Sequence, residues 1–495
     1  MASSTPLTDK QAPIVIVGAG IFGLSSAIHL AQRGFANVTV FDRQPYWQTQ
    51  YDFDSGCDAA SAALPDCNKI IRAAYGHEVW YQNLTLEAIE QWEAWNLDLA
   101  QGRDLPPGMT TKDRIYVNCG NYHLGDEPGL NPFEKLSVEN LTKAGKGHTQ
   151  YILTDPAEVE RAKKDGYGYA IDPFHLAKEG KYSGYLDAIG GFVYADKACR
   201  YAQHKAHRLG VKFVLDKTAG QFEGFLQEEG GKVVGIKTKD GKSHPAALTI
   251  VACGGWTPSL LPEMDGLCET TAGSVAMIQI PADSPLRQRF SPENFPVWQY
   301  KVRAGADGNL YGFPLDERNV MKLGYRGTKY TNPQRDAQGK ERSVPITRWT
   351  TPSIDNKLPQ KSVEVIRKFL DTYLPELREH GINISNTRLC WYTDSFDNHF
   401  VIDFVPSRPG VFVATGGSGH AFKFLPVIGR FVADRVEGRE EEDIMRFWRW
   451  RQLAPGQKPY NEIMKGRSSP TALQNVRMSE ERDLVLSDMS YRSRL

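Results

Sequence analysis

The hydrophobic pattern near the amino terminus predicts a strand, a helix and a second strand in close succession. Ile14–Val17 is a wholly apolar, β-branched run, which is typical of a buried parallel strand. Apolar residues then recur at i, i+3, i+4 and i+7 over residues 24–31, and the helix that they predict ends at Gly34. Residues 38–41 are strand-like again and end at Asp42. The pattern therefore predicts a βαβ unit.

Further along the chain, two kinds of pattern predict two kinds of domain. Helices predicted over residues 78–99, 195–209 and 421–436 alternate with strands predicted at 211–215, 232–237, 248–252 and 411–415, which favours an α/β nucleotide-binding domain. Residues 263–384 instead alternate strand-like runs (274–280, 297–302, 310–314, 320–325) with turns before a helix at 363–374, which favours a mixed or antiparallel sheet.

We therefore predict an α/β fold in which a discontinuous Rossmann-like domain carries a second, substrate-covering domain. The first comprises residues 10–78, 186–262 and 385–440, the second comprises 79–185 and 263–384, and 441–495 form a C-terminal tail that wraps the surface. The Gly-, Asp- and Ala-rich stretch 52–66 has no periodicity and is predicted to be a loop.

Composition narrows the class of protein. The chain has 495 residues, 41% of them hydrophobic, and its 59 basic and 59 acidic residues cancel. No global field favours nucleic acid or an anionic membrane, and we expect neither a secretory signal nor a membrane-spanning segment. Seven cysteines without C-x-x-C or zinc spacing indicate free thiols in a reducing compartment, and no metal site is expected.

The turn after the first strand has the chemistry of a dinucleotide site. In the run Gly18-Ala19-Gly20-Ile21-Phe22-Gly23, the first glycine permits a tight turn, the second a close approach to a diphosphate and the third close helix packing. The helix amino terminus favours that anion, and Asp42, followed by Arg43, is placed to bind ribose hydroxyls. At this point either FAD or NAD fits.

Two later glycine turns are candidate cofactor contacts. The strand at 248–252 ends in Gly254-Gly255-Trp256, where the backbone either passes close to a ligand or makes a simple hairpin turn. The strand at 411–415 ends in Gly416-Gly417-Ser418-Gly419-His420, whose N–H groups suit the polar edge of a cofactor.

Several cations are candidate site residues. Lys69 and Arg72 lie three residues apart just downstream of the cofactor motif, where they share a helical face or line a loop. Lys322 lies between two apolar residues on a predicted strand, so its ammonium faces the opposite side, and it is functional if that side faces a pocket.

The motifs GAGIFG, NKIIRAAYG, YGFP…KLGY, CWYTDSFDNHFVID and SGHAFKF occur in that order. Together they resemble the sarcosine oxidase and fructosyl-amino-acid oxidase family of flavoenzymes, in the D-amino-acid-oxidase structural group. The resemblance implies FAD that is joined covalently to Cys390 through its sulfur. It further implies the following roles: Lys322 activates dioxygen beside flavin N5, Arg72 and Lys423 bind the substrate carboxylate, Lys69 lies against the flavin ring, Tyr311 lines the substrate pocket, and His420 lies near the pyrimidine edge.

One position departs from the family pattern. Four residues beyond the strand lysine, where sarcosine oxidases carry histidine and fructosyl oxidases carry glutamate, this chain has Arg326. Arginine does not suit a sugar-derived amine. It suits a substrate with a second acidic or phenolic group, or an unusual pocket like that of relatives that oxidise N-methyl amino acids toward ring closure.

The resemblance implies an FAD-dependent oxidase that converts the secondary amine of an N-substituted amino acid to an imine and yields hydrogen peroxide. A fructosyl-amino-acid oxidase and a catalytically inactive flavin-binding module are the alternatives. The expected partners are a small amine substrate and dioxygen, and we expect a monomer. The chain ends in Ser493-Arg494-Leu495, a conservative variant of the peroxisomal S-K-L address, so we expect a peroxisomal or else a cytoplasmic location.

Overall fold

The computed structural model describes residues 6–51, 68–103, 105–125, 129–178, 181–302, 305–347, 350, 356–439 and 442–486. The predicted loop at 52–66 and the C-terminal tripeptide lie outside these ranges, so both stay predictions. In the described part of the chain, no helix has the length and apolar character that a bilayer span requires.

The first layer is a six-stranded sheet centred on the predicted βαβ unit. Its strands are parallel except for one antiparallel edge strand. In spatial order they are Val401–Phe404, Val411–Thr415, Leu248–Val251, Ile14–Val17, Val38–Asp42 and Lys212–Leu215. The helix Ile21–Gln32 packs against both Ala195–Arg208 and Ile428–Val436 on this sheet, and each of the three buries apolar residues in the same core.

The second layer is an eight-stranded mixed sheet, as the alternating runs predicted. Its strands in spatial order are Asn386–Ser395, Cys268–Gln279, Val320–Tyr330, Leu310–Gly312, Val297–Tyr300, Asn121–Leu124, Tyr185–Asp187 and Gln150–Ile152. All neighbours are antiparallel except one parallel pair, Val297–Tyr300 with Asn121–Leu124. The helix Gln360–Tyr373 buries its apolar face against this sheet.

Three small sheets and several helices complete the described fold. The small sheets consist of Asn68–Ile71, Gly191–Tyr194 and Tyr116–Val117; of Phe222–Gln227, Val233–Thr238 and Ser243–Pro245; and of Pro333–Arg335 with Glu341–Ser343. The remaining α-helices are Tyr46–Thr49, Val79–Ala100, Pro132–Leu141, Pro156–Lys164, Thr257–Leu260, Leu286–Arg289, Glu376–Glu379 and Ile444–Phe447.

Two local predictions are wrong. The segment with Lys69 is neither helix nor loop: Asn68–Ile71 is a strand, because it pairs antiparallel with Gly191–Tyr194 and its isoleucines suit a pleated surface. The helix predicted over 421–436 is interrupted. A single 3₁₀ turn, Phe422–Phe424, comes first and the α-helix begins at Ile428, since Pro426 lacks the N–H group that would continue the helical hydrogen bonds.

The C-terminal segment does more than wrap the surface. Leu473 and Leu486 are buried in the core beneath the eight-stranded sheet. Isolated bridges join Thr331 to Ala472 and Pro359 to Met478. The segment is therefore held on the substrate-covering half of the molecule, where residues 458–465 reach a large cavity.

Candidate active site

A cavity of about 1120 Å³ lies between the two large sheets. One side is formed by the carboxyl ends of the parallel strands, at Val17, Asp42, Ala252 and Thr415. Strands of the eight-stranded sheet form the other side. Ligands of open α/β sheets bind in the crevice outside the carboxyl ends of the strands, so this cavity is the candidate site.

The first glycine turn opens onto one end of the cavity. Gly18 has φ +108°, and a Cβ atom there would lie 2.4 Å from the carbonyl oxygen of Ala252. A Cβ at Gly23 would lie 1.8 Å from the carbonyl oxygen of Gly18, so helix and turn pack at a distance that only glycine permits. The helix Ile21–Gln32 has no acidic residue in its first turn, which leaves its N–H groups and positive dipole end to an anion.

Asp42 lies at the tip of the second strand, beside this turn. Its carboxylate accepts hydrogen bonds from the backbone N–H of Ala19 at 2.8 Å and of Gln44 at 2.9 Å. The Arg43 guanidinium lies 4.6 Å from the ring centroid of Trp256. Trp256 belongs to one 3₁₀ turn, Gly254–Trp256. This turn follows the strand Leu248–Val251, which is parallel to both of its neighbouring strands in the sheet. The hairpin alternative for that turn is thereby excluded.

Several buried polar atoms along the cavity have no partner in the described residues. They include both amide atoms of Asn68, Oε1 of Gln299 and Oγ1 of Thr415. A buried polar atom that stays unpaired costs about 1–3 kcal/mol, so such atoms are natural partners for the polar edge of a bound ligand. An anion site at a helix start, an acid at a strand tip and these atoms together fit a flavin dinucleotide.

The Lys322 side chain faces a pocket, which was the condition for a functional role. Its neighbours Met321 and Leu323 are buried in the core, whereas the Lys322 side chain lines the cavity and is only 1% exposed. The ammonium donates a hydrogen bond to the carbonyl oxygen of Asn68 and lies 4.2 Å from the ring centroid of Phe313. A cation is thus held in a dry part of the cavity.

Lys423 and Arg72 meet at the cavity wall, although they are far apart in sequence. The Lys423 ammonium donates to the Arg72 carbonyl oxygen at 3.0 Å, and both cations lie over the ring of Tyr75, at 4.7 and 5.1 Å from its centroid. Burial holds the pKa of Lys423 well below its ordinary value, and the nearby Arg72 charge lowers it further. In the described residues neither side chain forms an ion pair with a carboxylate.

Arg326, on the strand Val320–Tyr330, donates hydrogen bonds to the glycine turn at residues 416–420. Its Nη1 donates to the Gly419 carbonyl oxygen at 3.2 Å, and its Nη2 donates to the Ser418 carbonyl oxygen at 3.0 Å. The imidazole of His420 lies between the Tyr75 hydroxyl, 3.2 Å away, and the Asn398 carbonyl oxygen, 3.1 Å away. Burial holds the pKa of His420 well below its ordinary value, and the charges of Lys423, Arg326 and Arg72 lower it further, so the ring is neutral at pH 7.

The cavity brings together most of the residues that the sequence singled out. They are Gly18, Gly20, Ile21, Phe22, Asp42, Arg43, Lys69, Arg72, Gly255, Trp256, Tyr311, Lys322, Arg326, Cys390, Gly417, Gly419, His420 and Lys423. Ala19, Gly23 and Gly416 are not in the lining. They shape the turns instead. The Ala19 N–H donates to Asp42, Gly23 permits the close approach of the helix to the turn, and Gly416 has a positive φ.

Sequence reasoning missed part of the cavity wall. The Lys329 ammonium forms an ion pair of 2.7 Å with Asp394, and Glu269 is buried nearby with its pKa raised to about 7 by burial. All three line the cavity together with residues 458–465. An irregularity in the strand pairing near Ala272 accompanies the turn of Lys329 toward the cavity, and strand alternation alone does not predict it.

Comparison with known proteins bears on this geometry. Residues 13–435 match the family described as DAO, FAD dependent oxidoreductase. The chain belongs to this family. The matched residues include the strands of both large sheets, between which the cavity lies. The chain is therefore an FAD-dependent oxidoreductase, and it has the mixed α/β fold predicted above.

Individual proteins of known identity are similar to most of the chain. An L-saccharopine oxidase from Schizosaccharomyces pombe is 30% identical, with 89% of this chain and 93% of the relative covered. A monomeric sarcosine oxidase from an Arthrobacter species is 26% identical, with coverage of 88% and 96%. The crystal structure of a modified fructosyl peptide oxidase from Aspergillus nidulans superposes with a TM-score of 0.73 at 25% identity, with coverage of 95% and 99%.

Proposed function

We propose that this DAO-family protein is an oxidase that acts on the secondary amine of an N-substituted amino acid, giving an imine and hydrogen peroxide. The observation that carries the proposal is the convergence of Arg72, Lys423 and Lys322 on the cavity that the glycine turns open. The similarity to a saccharopine oxidase and a sarcosine oxidase supports it, since saccharopine and sarcosine are both secondary amines of amino acids.

The cavity residues have separate proposed roles in binding the cofactor, binding the substrate and reacting with dioxygen. The Gly18–Gly23 turn and Asp42 would hold the dinucleotide half of FAD, and Cys390 would tether the ring. When bound, the flavin supplies the two-electron oxidation of the C–N bond. Arg72 and Lys423 would bind the carboxylate and so orient the carbon that is oxidised. Lys322 would stabilise the anion that dioxygen becomes as it takes up electrons.

The charge of the cavity favours a substrate with more than one acidic group over a fructosyl amino acid with a single carboxylate. Among the described residues, nine lysine and arginine side chains line the cavity against five carboxylates. A diphosphate offsets only about two of the excess positive charges. This balance supports an amino acid with acidic groups, and it argues against the fructosyl-amino-acid alternative.

A peroxide assay tests the proposal against its alternatives. We expect purified holoenzyme to release hydrogen peroxide with saccharopine or an N-methyl amino acid, and to release little with a fructosyl amino acid. Product analysis in the same assay distinguishes hydrolysis of the imine from ring closure. If no secondary amine is oxidised while FAD is bound, the inactive flavin-binding module is the correct interpretation.

We expect Arg72→Ala and Lys423→Ala each to raise KM for an amino-acid substrate by at least about tenfold. Each removes one charge-assisted contact, which contributes roughly 1.5–3 kcal/mol in a buried site. Steady-state kinetics with the amino acid and with its decarboxylated amine measure the effect. The amine lacks the carboxylate and serves as the control. Equal losses on both would contradict the carboxylate-binding role.

The depressed pKa of Lys423 predicts a pH dependence. Only the protonated ammonium pairs with a carboxylate, so kcat/KM for the amino acid falls as pH rises through the lowered pKa. The fall should therefore begin well below the ordinary lysine value of about 10.4. In Lys423→Arg it should vanish, because a guanidinium does not titrate in this range. An unchanged profile in that variant would assign the titration to another group.

A further inference from the structure

Three cations face the cavity, and none of them is in a direct ion pair with a carboxylate of the described residues. These are Arg72, Lys423 and Arg326. They are close enough to one another that each lowers the pKa of His420. One substrate carboxylate can pair with both Arg72 and Lys423, which adjoin each other. A second anion is then needed to pair with Arg326.

The hydrogen bonds of Arg326 also leave donors unused. A guanidinium carries five N–H donors. Arg326 donates two hydrogen bonds, to the carbonyl oxygens of Ser418 and Gly419. Its Nε is buried and has no hydrogen-bond partner in the described residues. The Nε–H and the free N–H groups of the terminal nitrogens together match the two oxygens of a carboxylate.

Among the residues that the structure describes, no carboxylate forms an ion pair with Arg326. The charge of Asp394 raises the pKa of Arg326, but the Oδ2 atom of that carboxylate accepts from the Lys329 ammonium at 2.7 Å and from the Thr271 hydroxyl, and neither of its oxygens forms an ion pair with Arg326 in the described residues. The other groups that raise the pKa of Arg326 are phenols: the ring of Tyr392 lies 4.9 Å from the guanidinium carbon, and Tyr311 and Tyr460 also contribute. Phenols are neutral at pH 7.

We propose that Arg326 is a second anion subsite, and that it binds a carboxylate on the N-substituent of the substrate. The preferred substrates are then N-(carboxyalkyl) amino acids, which carry one carboxylate on each side of the secondary amine. Arg72 and Lys423 bind the first carboxylate and Arg326 binds the second. This inference rests on the proposed function and names its substrate class.

Matched substrate pairs test the subsite. N-(carboxyalkyl)alanines with a series of spacer lengths are compared with their carboxamides, which have the same shape without the charge. For the best spacer, we expect kcat/KM of the parent enzyme to favour the acid by at least about tenfold. Arg326→Gln also removes the hydrogen bonds to the glycine turn, so both substrates can lose activity; it should nevertheless remove the preference by raising KM for the acid at least about tenfold more than KM for the amide. Arg326→Lys should restore part of the preference. Lys361→Gln, at an exposed lysine of the helix Gln360–Tyr373, controls for the change in net charge.

Two results would overturn the subsite. The first is a parent enzyme that treats acid and amide alike at every spacer length. The second is an Arg326→Gln variant that loses equally on both, which would make Arg326 a brace of the glycine turn and nothing more. The first comparison needs no variant, so it stands even if Arg326→Gln does not fold.

A binding measurement separates failure of the subsite from failure of the proposed function. Thioether dicarboxylates, in which sulfur replaces the amine, have no C–N bond to oxidise. Calorimetry with the holoenzyme should give a dissociation constant at least about tenfold lower for the dicarboxylate than for its half-amide. An enzyme that oxidises no amine but still shows this difference would keep the subsite and lose the proposed function. Equal dissociation constants would refute the subsite whatever the activity.

Discussion

Lys322→Met is expected to slow the reaction of the reduced enzyme with dioxygen by about 10²–10³-fold. Anaerobic reduction of the flavin by substrate should be nearly unchanged. The reason is electrostatic: dioxygen becomes an anion as it takes up electrons, and Lys322 is the cation held beside Phe313 in the dry part of the cavity. Methionine keeps the length and apolar stem of lysine but removes the charge.

Stopped-flow measurement of the two half-reactions separates the effects. Lys322→Arg keeps a positive charge and should retain much of the oxygen reactivity. Lys361→Met, at a lysine whose side chain is 74% exposed, should behave like the parent. Equal slowing of both half-reactions in Lys322→Met would show that the lysine shapes the cavity and does not act on dioxygen.

Cys390→Ala is expected to release all of its FAD when the protein is precipitated with acid, whereas the precipitate of the parent should stay yellow. Cys390 lies on the strand Asn386–Ser395 opposite Gly273, is 1% exposed and lines the cavity. Cofactor binding should partly survive, because we expect the first glycine turn to hold the dinucleotide half without the covalent bond. A sulfur on the ring also alters its electronics, so the variant should be a weaker oxidant and a slower enzyme.

Another cysteine of the cavity provides the control. Cys253 also lines it, and its thiol donates to the Val17 carbonyl oxygen at 3.3 Å. Burial raises the pKa of the Cys253 thiol to about 12, so it is a poor nucleophile. Cys253→Ala should keep its flavin in acid, and peptide mapping of the parent should find the adduct on the Cys390 peptide. A parent that releases all its FAD in acid would refute the covalent bond.

The sequence by itself determined the parts of the site that depend on local pattern. A β-branched run, a glycine turn and a 3.6-residue periodicity specify the strand, turn and helix over residues 14–32, because each acts over a few neighbouring residues. The glycine-rich ends of later strands were recognisable for the same reason. Strand alternation also placed Lys322 on the face away from Met321 and Leu323.

Local pattern was misleading where packing or a single residue overrode it. Asn68–Ile71 is a strand because it pairs with the distant strand Gly191–Tyr194. Pro426 interrupted a helical pattern that periodicity alone continued. The register irregularity near Ala272, which accompanies the turn of Lys329 toward the cavity, depends on how three strands meet.

Only the tertiary structure decided how the charges of the cavity are shared. Arg72 and Lys423 are 351 residues apart, yet the ammonium of one reaches the carbonyl oxygen of the other. Asp394 forms its ion pair with Lys329 and not with Arg326 in the part of the chain that the structure describes, and the C-terminal residues 458–465 contribute to the cavity wall. Electrostatic pairing depends on distance in space and on burial, and neither is encoded in the spacing of residues along the chain.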